Sequence, residues 1–298
     1  MTDTQASRRM GILYMTIASL AWSTAGLFTR YATTDLVTTM FWRNLFAFGG
    51  LLAVLLLMQG FSGLAAFRWI TWPWIISSIL GGISAFVTVP ALQLTSVAHV
   101  VVIYATAPFL AGGISWAIFG QRPRRVDVIA SVAALAGAVY MIGLSAEGGV
   151  WGDLLALVLA LCMSGVMVVM RQYPEIPSLP AAVTAFAIAV VASLFLLQDY
   201  SLPVAALPFL AAFGMVNSAL GTLFFLLGSR LLRPVETALL GALETPMAPL
   251  WVWILFAETP GQATFIGGGI VMAAVIWHTL QTAEPSQPEE PDTPQPAP

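Results

Sequence analysis

The chain has 298 residues, 59% of them apolar and 8% charged, with a mean hydropathy of +0.89. A soluble domain carries about 25% charged residues, so this chain has too little polar side chain to cover a water-soluble fold. Net charge is −3, every one of the 11 basic residues is arginine and Cys162 is the one cysteine. These features leave a nucleic-acid surface unsupported and exclude an internal disulfide and a thiolate metal cluster.

Residues 1–9 read as a cytoplasmic tail. Arg8 and Arg9 precede an apolar stretch in the manner of a signal peptide, but the stretch runs from Met10 to Thr29 with no clear small-residue cleavage site. It is therefore expected to be an uncleaved first helix. Apolar runs follow near 38–58, 70–91, 98–119 and 126–144, and five in all come from the second half, near 150–171, 179–198, 205–228, 235–256 and 262–281. About 20 apolar residues cross a bilayer, and a helix satisfies its own backbone there. The expected fold is all-α and integral to the membrane, with ten transmembrane helices. Residues 282–298 hold six prolines, four acids and no apolar run, which predicts a disordered cytoplasmic tail.

The arginines orient the helices. With the N-terminus inside, the inner segments carry Arg8, Arg9, Arg68, Arg122, Arg124, Arg125, Arg171, Arg230 and Arg233, and the outer loops carry Arg30 alone. That asymmetry predicts both termini on the cytoplasmic side. An internal repeat agrees with the count. Sliding Gly11–Tyr31 onto Gly152–Gln172 pairs Gly11 with Gly152, Leu13 with Leu154, Leu20 with Leu161, Ser23 with Ser164 and Arg30 with Arg171. Tyr104–Pro108 likewise aligns with Ala242–Pro246. Two repeats of five helices, 10–144 and 150–281, must be inverted relative to each other, as in secondary transporters whose substrate site lies at the midplane between halves.

The two five-helix halves, their closing Phe119-Gly-Gln and Phe256-Ala-Glu segments, and Ala91-Leu-Gln-Leu-Thr-Ser-Val-Ala98 before helix four resemble the drug/metabolite transporter superfamily, and within it the EamA-type exporters. The resemblance covers 11–281. The overall length and Trp22-Ser23-Thr24 in the first helix are similar to bacterial amino-acid exporters of that group. It implies a multi-pass protein of the bacterial inner membrane, exporting small metabolites through a central cavity. Helices one to four and six to nine would line that cavity, with five and ten to the side. One position departs from the pattern: the acid expected after helix four is Gln121, whereas the second half keeps Glu258.

Two charges lie inside the apolar runs. Glu244 is near the middle of the ninth, two residues before Pro246. An ionised carboxylate there costs several kcal/mol unless paired or protonated, so it is read as a proton site, a ligand for a substrate ammonium, or a hydrogen-bonded group fixing helix nine. Arg43, one and a half turns into helix two, matches a substrate carboxylate, or it snorkels outward or pairs with backbone or Asp35. One arginine and no lysine disfavour a phosphorylated substrate. Pro108 and Pro246 are expected to free the carbonyls of Tyr104 and Ala242. With Pro249, Gly81, Gly82 and Gly221 they are the hinge candidates.

Trp22, Ser23, Met163, Ser164, Phe86, Tyr104, Asn217 and Trp251 complete the cavity candidates, suiting a neutral, partly apolar ligand such as an aromatic or branched amino acid. The same aromatics serve equally as packing or lipid-facing residues. Gly267-Gly268-Gly269 in helix ten is expected to pack on helix five, leaving a monomer or weak homodimer. His99 and His278 fall on opposite membrane faces, so no metal site is expected, and nothing in the sequence requires a cofactor. The expected function is alternating-access export of amino acids, with proton coupling open and multidrug efflux as the alternative. An intramembrane enzyme would need Ser115 beside His278, and a channel would need a polar stripe that these helices lack.

Overall fold

A computed structural model of the chain describes residues 3–31, 34–95, 97–142, 149–198, 204–257 and 261–282. The tail beyond Thr282 and Glu258 lie outside them, as does the side chain of His99. Among the described residues the fold is all-helical. Eight segments are long and apolar enough to cross a membrane. Two of the ten expected spans, Arg125–Ile142 and Ser178–Leu194, are not among the eight. At about 1.5 Å per residue, the 17 residues of the second cover less than a 30 Å hydrocarbon core.

The first half comprises α1 (Asp3–Trp22), α2 (Ala25–Tyr31), α3 (Leu36–Gln59), a 3₁₀ segment (Gly60–Arg68), α4 (Trp72–Leu94), α5 (Val97–Tyr104), α6 (Ala107–Phe119) and α7 (Arg125–Ile142). The second comprises α8 (Val150–Gln172), α9 (Ser178–Leu194), α10 (Leu207–Ala212), a π-helical segment (Phe213–Leu220), α11 (Gly221–Ser229), α12 (Pro234–Gly241), α13 (Glu244–Phe256) and α14 (Gln262–Gln281). Helix α1 begins at Asp3, so most of the stretch read as a tail is its first two turns. The fourth and ninth spans break just before Pro108 and Pro246, as a residue without an N–H requires. The first span also breaks, at Ser23–Thr24, with no proline. Pro90 sits inside α4 without ending it.

The halves pack through each other with two-fold regularity. Helix α1 lies on α11 while its repeat partner α8 lies on α4. The second spans of each half, α3 and α9, pack together, and so do the fifth, α7 and α14. Two glycines aligned by the repeat make the same contact. A Cβ on Gly11 would meet Leu232 Cγ at 2.8 Å, at the end of the eighth span. One on Gly152 would meet the backbone of Leu94 and Thr95 at 2.5 Å, at the end of the third. Such small residues let backbones approach closely where lipid supplies no hydrophobic driving force.

Helices α6 and α13 end alike. Gly120 (φ 68°) and Ala257 (φ 54°) occupy matched positions and both adopt the left-handed conformation. The glycine triplet packs within the molecule, as expected: a Cβ on Gly137 of α7 would meet the Gly267 carbonyl of α14 at 2.8 Å.

Met15, Leu51, Leu55, Trp74, Met167 and Phe225 fill the core. Leu57, Phe61, Ile254 and Leu280 instead face outward, uncovered. An apolar exterior of this extent suits lipid rather than water. At one end α1 meets α12 and α14, where Arg8 pairs with Glu236 and donates to the Thr279 carbonyl (2.9 Å) and Thr282 Oγ1 (2.6 Å). Close by, Asp127 accepts from Arg233 (3.1 Å) and the Arg124 N–H (2.8 Å), and lies 2.9 Å from His278 Nε2.

Candidate functional site

Between the halves lies a cavity of about 160 Å³. The first four spans and the sixth to ninth all contribute to its wall; no described residue of α7 or α14 does. Its charged groups are two, Arg43 and Glu244, and its other polar side chains are an amide, a phenol and small hydroxyls. Arg43 enters from α3, Tyr104 from the end of α5, Asn217 from the π segment and Glu244 from the first turn of α13. Trp22, Phe186, Phe225, Met163 and Leu159 supply aromatic and aliphatic walls.

Arg43 is 4% exposed and neither snorkels nor pairs with Asp35. Its Nη1 donates to the Ala85 carbonyl (3.2 Å) and its guanidinium lies 4.8 Å from the Phe213 ring centroid. Nε has no hydrogen-bond partner. Asp35 is used elsewhere, as the N-cap of α3, accepting from the Thr38 N–H at 3.0 Å. The Tyr104 hydroxyl is also buried without a partner. Glu244 is half-buried and makes no ion pair among the described residues. Buried polar groups are nearly always satisfied, so unsatisfied donors on a cavity wall mark where a ligand or water completes the bonding.

Trp22, Ser23, Arg43, Tyr104, Met163, Asn217 and Glu244 share this one cavity. Three expected residues do not line it. Phe86 packs into the core against the apolar cluster of Met40, Val89 and Phe213. Ser164 is fully buried and donates to the Ala107 carbonyl (3.2 Å), tying α8 to the break before α6. Trp251 stands behind the wall and donates from Nε1 to Ser23 Oγ (2.7 Å). The exposed Ala242 carbonyl expected from Pro246 is also corrected. The Thr245 N–H takes it at 3.1 Å, because the chain tightens into a three-residue turn at the break.

The hinge candidates divide. Pro108 and Pro246 lie at the two breaks. Gly81 and Gly82 are close-packing positions: a Cβ on Gly81 would come within 3.0 Å of Ala185 Cβ and one on Gly82 within 2.9 Å of the Ala185 carbonyl oxygen. Gly221 lies under the Trp22 indole. The side chain of Pro249 lies outside the described residues.

A polar stripe was missed. Ser77, Gly81, Ser84 and Thr88 line the cavity along one face of α4, at the i, i+4, i+7, i+11 spacing of a helix. Ser84 Oγ donates to Met163 Sδ (3.2 Å) and Thr88 Oγ1 to the Ser84 carbonyl (2.7 Å). That spacing was the available signal. The Ser115–His278 pairing of the enzyme reading is absent: Ser115 Oγ donates to Gln121 Oε1 (3.2 Å), and His278 faces Asp127.

A family model, the EamA-like transporter family, matches residues 9–143 and again 150–280. A solved structure titled only "Crystal structure of protein" is similar over 92% of this chain and 98% of its own, with a TM-score of 0.75 and 23% identity. At that identity the likeness concerns the fold alone. No curated protein matches the sequence.

Proposed function

Because this chain belongs to the EamA-like transporter family, and is thus a multi-pass membrane transporter, we propose that it exports neutral amino acids. The observation that carries this reading is chemical. A largely apolar cavity, dotted with hydroxyls, presents one guanidinium with a free N–H, at Arg43, and one carboxylate, at Glu244. A zwitterion carries the complement of both. Arg43 holds the α-carboxylate, Glu244 the α-ammonium with Tyr104 beside it, and Trp22, Phe186 and Phe225 receive an aromatic or branched side chain. A phosphorylated dianion would face a carboxylate and only one cation.

Transport proceeds by alternating access. Ten crossings form two inverted repeats, 10–144 and 150–281, with both termini in the cytoplasm. The chain sits in a bacterial inner membrane with the arginine-rich end inside. The breaks before Pro108 and Pro246 let the halves bend about the cavity.

The test is counterflow into liposomes holding the purified chain, with a panel of labelled amino acids, run with and without a pH gradient. Saturable exchange of aromatic or branched amino acids is the expected result. Exchange of an apolar cation, with no amino acid exchanged, would transfer the protein to the multidrug reading.

A further inference from the structure

The first span is broken in a way that the second half of the molecule maintains. At Ser23–Thr24 the helix loses its regular bonding, and its last carbonyls need other donors. Ser23 Oγ donates back to Leu20 (2.7 Å) and Thr24 Oγ1 back to Ala21. Such back-bonding bends helices. The remaining donor comes from nearly 200 residues away. The Asn217 side-chain amide donates to the Ala21 carbonyl (3.0 Å) and the Trp22 carbonyl (2.9 Å), with Thr24 Oγ1 at 3.5 Å.

Asn217 is 3% exposed and lies within the π-helical segment. The wider turns of a π segment re-aim side chains relative to a regular helix, and such segments often mark functional sites. One turn on, at the return to α-helix, stands Gly221. A Cβ there would run into the Trp22 indole, at Nε1 and, at 2.5 Å, Cδ1. Another turn on, the Phe225 ring lies 5.2 Å from that of Trp22. One face of the eighth span thus holds both the main chain and the ring of Trp22, a residue on the cavity wall. The other half has no equivalent: Met163, at the repeat position of Trp22, lies within the unbroken helix α8.

We infer that Asn217 and Gly221 are positioning residues, which seat Trp22 and the short outer helix α2 on the cavity wall and so set the side-chain selectivity of the transporter. The selectivity part rests on the amino-acid reading above; the seat itself does not. Asn217 anchors the peptide groups at the break, so that α2 departs in one direction and Ala25 and Gly26 reach the cavity. Gly221 leaves room for the indole. The cavity therefore has one rigid aromatic wall and, opposite in the repeat, one flexible thioether wall.

Two measurements test this. In a Cys162→Ser background, Gly26→Cys places a thiol where a Cβ meets nothing within 4 Å on the cavity wall. Its labelling rate with a small impermeant maleimide reports the seat of α2 whatever the substrate is. Adding Asn217→Leu is expected to change that rate about tenfold, the population shift equivalent to losing one or two buried hydrogen bonds. Adding Asn217→Gln, which keeps the amide, restores most of it.

The second measurement is a double-mutant cycle read by counterflow. Gly221→Ala is expected to change the KM ratio of an aromatic to a small neutral amino acid by about tenfold, with kcat little changed. In a Trp22→Leu background the same substitution shifts the ratio less than about twofold, because the clash is gone. Unchanged labelling in Asn217→Leu, or equal effects of Gly221→Ala in both backgrounds, overturns the seat. Should Asn217→Leu fail to fold, the glycine cycle decides alone. If no amino acid is exchanged by the wild type while the labelling responds, the substrate reading fails and the seat stands.

Discussion

Asp127 and His278 lie 2.9 Å apart, carboxylate oxygen to Nε2, with both side chains 2% exposed, although 151 residues separate them in the chain. They join α7 to α14 at the end of the molecule where Arg8 meets Thr282. Arg233, just before α12, adds a second bond to the same carboxylate at 3.1 Å. Removing one member of a buried charged cluster strands the others, which costs more than the pair itself contributes. Asp127→Ala is expected to lower stability by about 3 kcal/mol, against about 1 kcal/mol for an exposed pair. Thermal unfolding in a mild detergent measures it; a loss below that of an exposed pair would make the cluster incidental.

Arg43 and Glu244 separate the two ends of the proposed substrate. Arg43→Lys keeps the charge but loses the planar fork. It is expected to raise KM for a neutral amino acid at least about tenfold, as expected for one charge-assisted hydrogen bond, while competition by a simple amine is spared. Glu244→Gln is expected to do the reverse, weakening amines and amino acids and sparing simple carboxylates. Identical inhibition profiles for the two variants would argue against a zwitterion held between them.

Asp35 gives a local pH effect. Its side-chain and backbone bonds with Thr38 hold the carboxyl below the ordinary value of 3.8. A lowered folded-state value means the contribution is complete above the unfolded value and is lost as pH falls through the folded one. Asp35→Ala should therefore cost about 1 kcal/mol at neutral pH, the usual worth of an N-cap. The gap to wild type should close below pH 3.8. A gap that persists undiminished at pH 3 would assign the loss to something other than the cap.

Ala257 takes φ 54° where its repeat counterpart is Gly120 at φ 68°. The left-handed conformation costs a residue with a Cβ roughly 1–2 kcal/mol, and glycine's greater freedom in the unfolded chain offsets part of any gain. Ala257→Gly is expected to stabilise by about 0.5–1 kcal/mol, whereas Gly120→Ala destabilises. Opposite signs in unfolding experiments on the two variants would demonstrate the matched caps.

Much of this was legible in the residue order. Apolar runs placed most helix boundaries within a few residues, the start of α1 excepted, and Pro108 and Pro246 announced the two matched breaks, since a missing N–H is a local property. The Gly11–Gly152 alignment pointed to the repeat, and the structure adds that the two glycines make equivalent helix contacts. The break at Ser23–Thr24 was not legible, because neither residue breaks a helix by itself and the deciding donor is Asn217. Phe86, Ser164 and Trp251 were placed on the cavity by depth alone. Depth says nothing of which way a side chain faces.

That distinction is general for this chain. In a soluble helix, polar and apolar faces reveal the inward direction. Here lipid outside and packed helices inside are both apolar, so hydropathy separates the two faces of several helices poorly, α7 and α13 above all. Sequence alone therefore determined that the chain lives in a membrane, that it is built of two repeats, and which two charges lie within its apolar runs. Only the tertiary structure decided which residues share the cavity, which donors stay open, and that the π segment and α11 hold the end of α1. Those depend on the rotation and contact of helices far apart in sequence.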